Sequence, residues 1–122
     1  MSDNNLAIVL AYYEAINDNN PSLAAEKLAD NVQIISPLAT KNGKIDVVKA
    51  LKGFCSVVEH VTITAKFTSE NQVMLAYDML FPKPIGNLRA AGLLNVDQGL
   101  ITSIELFYDG QVVMSKRDEI FS

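Results

Sequence analysis

Residues Gln72 to Tyr108 read QVMLAYDMLFPKPIGNLRAAGLLNVDQGLITSIELFY, and the punctuation of this stretch decides the fold. Three apolar runs of strand length, Gln72 to Phe81, Leu88 to Val96 and Leu100 to Tyr108, are interrupted twice. Pro82-Lys83-Pro84-Ile85-Gly86-Asn87 parts the first two and Asp97-Gln98-Gly99 the last two, so both junctions carry turn residues. Sequential antiparallel pairing is the simplest topology for strands joined this way. Just upstream, Val61, Ile63, Ala65 and Phe67 alternate with Thr62, Thr64, Lys66 and Thr68, the period of a half-buried strand.

Ahead of the strands the period changes to that of helices. Val47, Val48, Leu51, Phe54, Cys55 and Val58 recur at helical spacing between Lys44 and Glu59, with Lys49, Lys52, Ser56 and Glu59 opposite. Asp3 is placed to cap a helix whose Leu6, Val9, Leu10, Tyr13 and Ile16 share a face, while Ile8, Tyr12 and Ala15 widen it. Pro21 suits the first position of a short second helix with Leu23, Ala24 and Leu28 inward, ended by Asp30-Asn31. Val32 to Ser36 alternates as a short strand that Pro37 stops, followed by a loop with Asn42-Gly43. Three helices ahead of an antiparallel meander predict an α+β domain with the helices on one sheet face. We read residues 1–122 as one domain, with 111–122 a tail in which Val112, Val113 and Met114 are apolar and Lys116-Arg117-Asp118-Glu119 solvated. A short helix, a strand end and an oligomer contact all suit that tail.

Composition excludes several functions. The chain has 122 residues, enough for one proper core, and 10 basic against 14 acidic residues spread along it. Nucleic acid is not expected as a partner, since phosphate binding needs a dense positive face. No apolar run approaches the ~20 residues that span a bilayer, and the N-terminus lacks a positive n-region, so no membrane partner and a cytoplasmic location are expected. One cysteine, Cys55, and one histidine, His60, are too few for a disulfide or a His- or Cys-rich metal site, and neither metal nor organic cofactor is expected. Cys55, in register with Leu51 and Val58, reads as a small buried hydrophobe. His60 reads as a surface residue at a helix C-terminus.

The order of elements resembles the nuclear transport factor 2-like (NTF2-like) superfamily, within it the SnoaL-like, ketosteroid-isomerase-like and limonene-epoxide-hydrolase-like branches. The resemblance covers roughly residues 5–110. It is carried by Tyr12-Tyr13-Glu14-Ala15-Ile16-Asn17, by Leu28-Ala29-Asp30-Asn31-Val32, and by Asn95-Val96-Asp97-Gln98-Gly99-Leu100-Ile101 running on to Phe107-Tyr108-Asp109. It implies a strongly curved, mainly antiparallel sheet, a cystatin-like cone round an apolar pocket, and a homodimer across the outer sheet face. Phe107, alternating with Leu106, would need that second cover. Tyr12 falls at the oxyanion-hole tyrosine of the isomerases, but Ser36 falls at their general-base aspartate, and Ala90, Ala91 and Gly92 lie where their protonated aspartate would be. Asp78 matches an aspartate of the epoxide hydrolases, whose arginine and second aspartate become Ala76 and Leu106.

The implied site is therefore Asp78 and Tyr12 as the chemical groups, with Ser36, Ile34, Leu51, Phe54, Ala76, Arg89 and Leu106 round the substrate. Asp78 interrupts the apolar run from Val73 to Phe81, and two readings of it stay open. Turned inward it is a desolvated acid or base; turned outward it faces solvent or pairs with Arg89 or a lysine of a neighbouring strand. Tyr12 is either a pocket donor or a core aromatic, Tyr13 a core residue, and Ser36 beside Pro37 a turn residue as much as a pocket one. Arg89 either anchors an anionic group or lies exposed on an edge strand, and Met74, Met79 and Met114 read as core or interface filler. Two functions follow. One is a cofactor-independent isomerase, cyclase or hydrolase acting on a small apolar or polycyclic molecule; the alternative is a non-catalytic ligand-binding or dimerisation module of the same fold.

Overall fold

The computed structural model describes residues 2–111 and places helices first and the meander last. The tail residues Val112, Val113, Met114 and Lys116 to Glu119 lie outside the described residues. Helix α1 spans Ser2–Asn17, so Asp3 lies within its first turn rather than ahead of it as a cap. Its buried set, Asn5, Val9, Tyr12, Tyr13, Ala15 and Ile16, is broader than one stripe because α1 packs on three strands and on a second helix. That helix, α2, is only Pro21–Ala25: Pro21 opens it and the Asn20 side chain accepts from the Leu23 N–H at 3.1 Å. Leu23, expected inward, is exposed.

Leu28, Asp30 and Asn31 belong not to the second helix but to strand β1, Leu28–Ile35. The cause is tertiary. Leu28 pairs with Ile101 on the last strand, and the Ile101 N–H donates to the Lys27 carbonyl at 2.8 Å, so a distant strand takes the backbone groups a longer helix would satisfy internally. Beyond β1, the Ser36 N–H and hydroxyl both donate to the Ala39 carbonyl, at 3.0 and 2.9 Å, closing a turn into the short strand β2, Thr40–Asn42, which replaces part of the expected loop. Helix α3 follows as predicted over Lys44–Val57, burying Val47, Leu51 and Cys55. His60 does not cap it but opens strand β3, His60–Ser69.

Strands β4 (Gln72–Leu80), β5 (Asn87–Asp97) and β6 (Leu100–Phe107) complete a six-stranded sheet in the order β2-β1-β6-β5-β4-β3. The meander from β3 to β6 is antiparallel as expected, whereas β1 inserts parallel to β6 and makes the sheet mixed. At the β5–β6 hairpin Gln98 and Gly99 both have positive φ, 51° and 80°, the requirement of a two-residue turn whose twist matches the strands. Register irregularities at Leu28/Gln33, Ile63/Ala65 and Asn95/Val96 bend the sheet round the helices. Val73, Leu75, Tyr77 and Met79 of β4 point inward with Leu88, Ala90, Leu94 and Val96 of β5 and Ile104 of β6, onto α1 and α3. The end of α1 is tied to β3 by the Asn17 side chain, which donates to the Val61 carbonyl at 2.9 Å and accepts from its N–H at 2.8 Å.

The bulge in β3 changes one expectation. Ile63 pairs with inward Tyr77, but Ala65 pairs with Ala76 and Phe67 with Met74, both on the outer face. Phe67 is consequently 66% exposed rather than continuing the buried alternation of Val61 and Ile63. Among the described residues, no helix is long and apolar enough to cross a membrane.

Candidate functional site

Between the helices and the inner sheet face lies a cavity of about 610 Å³. Its depth is apolar and aromatic. Helix α1 contributes Tyr12, Tyr13 and Ile16, helix α3 Leu51 and Phe54, and the sheet Tyr77, Met79, Leu88, Ile104 and Leu106, with Phe81 just past β4. The rim is built by the β1–β2 corner and the first half of α3: Ser36, Leu38, Ala39, Lys41, Asp46 and Lys49, with Ile34 and Tyr108 nearby. The polarity thus runs from a greasy interior to a charged mouth.

Three buried tyrosines converge inside. The Tyr13 and Tyr77 rings lie 5.3 Å apart, and Tyr13 donates to the Tyr77 hydroxyl at a long 3.3 Å. Gly92 makes room for this pair: a methyl group there would stand 3.0 Å from the Tyr77 hydroxyl and 3.3 Å from that of Tyr13. Tyr12 meets Tyr13 edge to face at 5.1 Å. Its side of the cluster differs in one respect. Tyr12 is only 4% exposed, yet among the described residues its hydroxyl has no hydrogen-bond partner. Burial raises all three phenols, the neighbouring tyrosines adding to the effect at Tyr12 and Tyr13, and lifts Tyr77 to about 12. Each is therefore a neutral donor at any ordinary pH. Tyr108, half-buried at the rim, is also raised by burial, and the Ser36 hydroxyl beside it opposes part of that rise. Cys55 is buried, as expected, and burial raises its thiol.

Of the residues singled out in the sequence, Tyr12, Ile34, Ser36, Leu51, Phe54 and Leu106 line the cavity. Asp78, Ala76 and Arg89 do not. They sit on the outer sheet face, because inward parity on β4 falls to Val73, Leu75, Tyr77 and Met79 and on β5 to Leu88 and Ala90. The reading of Asp78 as an inward, desolvated acid or base is thereby corrected. It stands opposite Arg89 in the β4–β5 register, and Arg89 Nε approaches Asp78 Oδ1 at 3.4 Å, with side chains 87% and 26% exposed respectively. The alternative reading of an outward, Arg89-paired aspartate describes the arrangement. The inward neighbours of Asp78 are Tyr77, not singled out in the sequence, and Met79, read there as core or interface filler. Their signal was present: 73, 75, 77, 79 and 81 are apolar or aromatic without exception, and the lone carboxylate belongs to the other set.

What the cavity can do follows from its inventory. Its ionisable lining consists of four tyrosines, Lys41, Lys49 and one carboxylate, Asp46, which is exposed at the rim. Donors face the interior, and no carboxylate or imidazole stands there among the described residues to take a proton.

Comparison with known proteins places this geometry. No protein-family model matches the chain, and no curated protein matches it. Among solved structures, an NTF2-like protein of unknown function from Cytophaga hutchinsonii ATCC 33406 is similar with a TM-score of 0.81 and 22% identity, over 90% of this chain and 94% of that one. The fold is NTF2-like. A protein from Jannaschia sp. CCS1, provisionally described as a SnoaL-like polyketide cyclase, shares the NTF2-like architecture with a TM-score of 0.81 and 13% identity, over 94% and 92% of the two chains. A de novo designed protein with a curved β-sheet does so with a TM-score of 0.84 and 17% identity, over 97% and 96%. At these identities the likeness establishes the NTF2-like fold alone, as the sequence resemblance implied. A designed chain reaches the same shape, so the shape itself specifies no chemistry.

Proposed function

We propose that the cavity binds a compact apolar molecule carrying an oxygen acceptor, and that Tyr12 donates to that oxygen, as a binding module rather than an acid–base catalyst. The observation that carries the reading is the Tyr12 hydroxyl, which belongs to a buried residue at the cavity wall, opens into the cavity and has no protein hydrogen-bond partner among the described residues. No buried side-chain polar atom is left unsatisfied among the described residues, so this hydroxyl opens into the cavity, where a ligand oxygen can accept from it at a net gain of about 0.5–1.5 kcal/mol. Against catalysis stand the outward Asp78 and the lack of an interior base among the described residues.

The test compares 2-acetylnaphthalene with 2-ethylnaphthalene, which share a skeleton and differ in the carbonyl. Calorimetric titration should find the ketone tighter by about 3- to 10-fold, the worth of one hydrogen bond, and Tyr12→Phe should erase the difference. Equal affinities in the wild type would remove the donor role; binding of neither would remove the cavity's ligand role.

The outer sheet face supports a second element, a homodimer. Phe67, Met74 and Leu93 form one row across β3, β4 and β5, and Ala65, Ala76, Ala91 and Phe107 form the next. Phe67, Met74 and Phe107 are exposed, the alanines keep the centre flat, and the Asp78–Arg89 pair beside them carries both signs, so a twofold mate offers each charge its opposite.

A further inference from the structure

The mouth of the cavity has a charge opposite to that of the molecule. The charged residues lining the mouth are two lysines, Lys41 and Lys49, against a single acid, Asp46, a net of +1 in a chain whose formal charge is -4. Two of these lysines reach the cavity from different elements, Lys41 from β2 and Lys49 from α3. Neither forms a salt bridge among the described residues, where the Arg89–Asp78 contact is the ion pair present. Lys44, Lys49 and Lys52 also line the adjoining shallow depression with Asp30, Ile45 and Val48, so there too lysines outnumber the acid. An apolar interior below a cationic rim is complementary to an amphipathic anion, whose apolar body leaves water while its charge stays at the half-solvated edge. A rim of one sign over low-dielectric walls also concentrates such ligands.

Resting on the reading of the cavity as a binding site, we infer that its ligand class is an apolar monoanion, a carboxylic acid whose carboxylate sits between Lys41 and Lys49. Ser36 and Tyr108 at the same rim supply hydroxyls within the mouth. Tyr12 remains available to an oxygen at the opposite end of the molecule.

The experiment titrates the full chain with three molecules of one skeleton: 2-naphthylacetate, 2-(2-naphthyl)ethanol and 2-(2-naphthyl)ethylamine. At low ionic strength the acid should bind about tenfold tighter than the alcohol, the sum expected of two charge contacts to exposed lysines, and the amine weakest. Raising salt to about 0.5 M, where screening acts over a few ångströms, should shrink the advantage of the acid over the alcohol. The double variant Lys41→Ala/Lys49→Ala should bring the ratio of acid to alcohol affinity to about one, while Lys66→Ala, outside the cavity, should leave it unchanged. If acid and alcohol bind equally in the wild type, or the ratio survives salt and the double variant, the anion inference is wrong while the binding site stands. If none of the three binds, the site itself is refuted, and the inference with it.

Discussion

Asp78 and Tyr77 are adjacent in sequence and lie on opposite sides of the sheet, and the contrast predicts how each responds to substitution. Asp78 makes one 3.4 Å contact with a largely solvated Arg89, and exposed pairs of this kind contribute about 0–1 kcal/mol. Asp78→Asn should therefore move the urea midpoint little and leave the affinity for 2-acetylnaphthalene unchanged; a stabilisation well beyond 1 kcal/mol, or lost binding, would restore the catalytic reading. Tyr77 behaves differently because its phenol is held at about 12 by burial, against an ordinary 10.0. Above pH 10 the unfolded chain releases this proton while the folded chain keeps it, so the stability Tyr77 confers is complete below about pH 10 and drains away as pH rises toward 12. Urea unfolding at pH 8 to 11 should show a decline at the alkaline end that is shallower in Tyr77→Phe. Identical slopes would mean that the phenol is not buried in solution.

The elements are joined at a few identifiable atoms. Asn17 ends α1 and holds both backbone groups of Val61. Asn17→Ala would strand a part-buried N–H and carbonyl and should cost about 1–3 kcal/mol in chemical denaturation. Hydrogen-exchange protection at Val61 should fall with it; unchanged protection would show that α1 is held by its apolar face alone. The edge strand β3 carries a bulge at Thr64, and Lys66 lies opposite inward Leu75, so an ionic residue takes inner-face parity at an edge. Both features discourage a further strand from adding at this edge.

For the whole molecule the main expectation is the homodimer across the outer sheet face. Sedimentation velocity at micromolar concentration should give a dimer, and Phe67→Lys combined with Phe107→Lys should give a folded monomer, since both residues are exposed in the single chain. A wild-type monomer would sink the dimer and leave the outer apolar rows without a partner. The cavity faces away from this surface, so a monomeric variant that still binds 2-acetylnaphthalene would separate assembly from binding.

Much of this architecture is local and could be read directly. The strand beginning near Val61, the turn at Gln98-Gly99, the helical spacing of Val47 to Cys55 and Pro21 at a helix start all depend on neighbours a few residues away, and all appear where the pattern puts them. Tyr12, Ile34, Ser36, Leu51, Phe54 and Leu106 could be brought to one cavity because helix and strand periods assign them faces that a known architecture turns inward. Other features needed partners far along the chain. The parallel pairing of β1 with β6 pulled Leu28 to Asn31 out of a helix, and the bulge at Thr64 turned Phe67 outward. Strand parity is a binary choice that one residue reverses, and the inner face was settled by which side could seal against α1 and α3. On β4 that seal was made by Val73, Leu75, Tyr77 and Met79, leaving Asp78 to the outer face and to Arg89, because burying a lone carboxylate costs more than burying a tyrosine whose hydroxyl meets another.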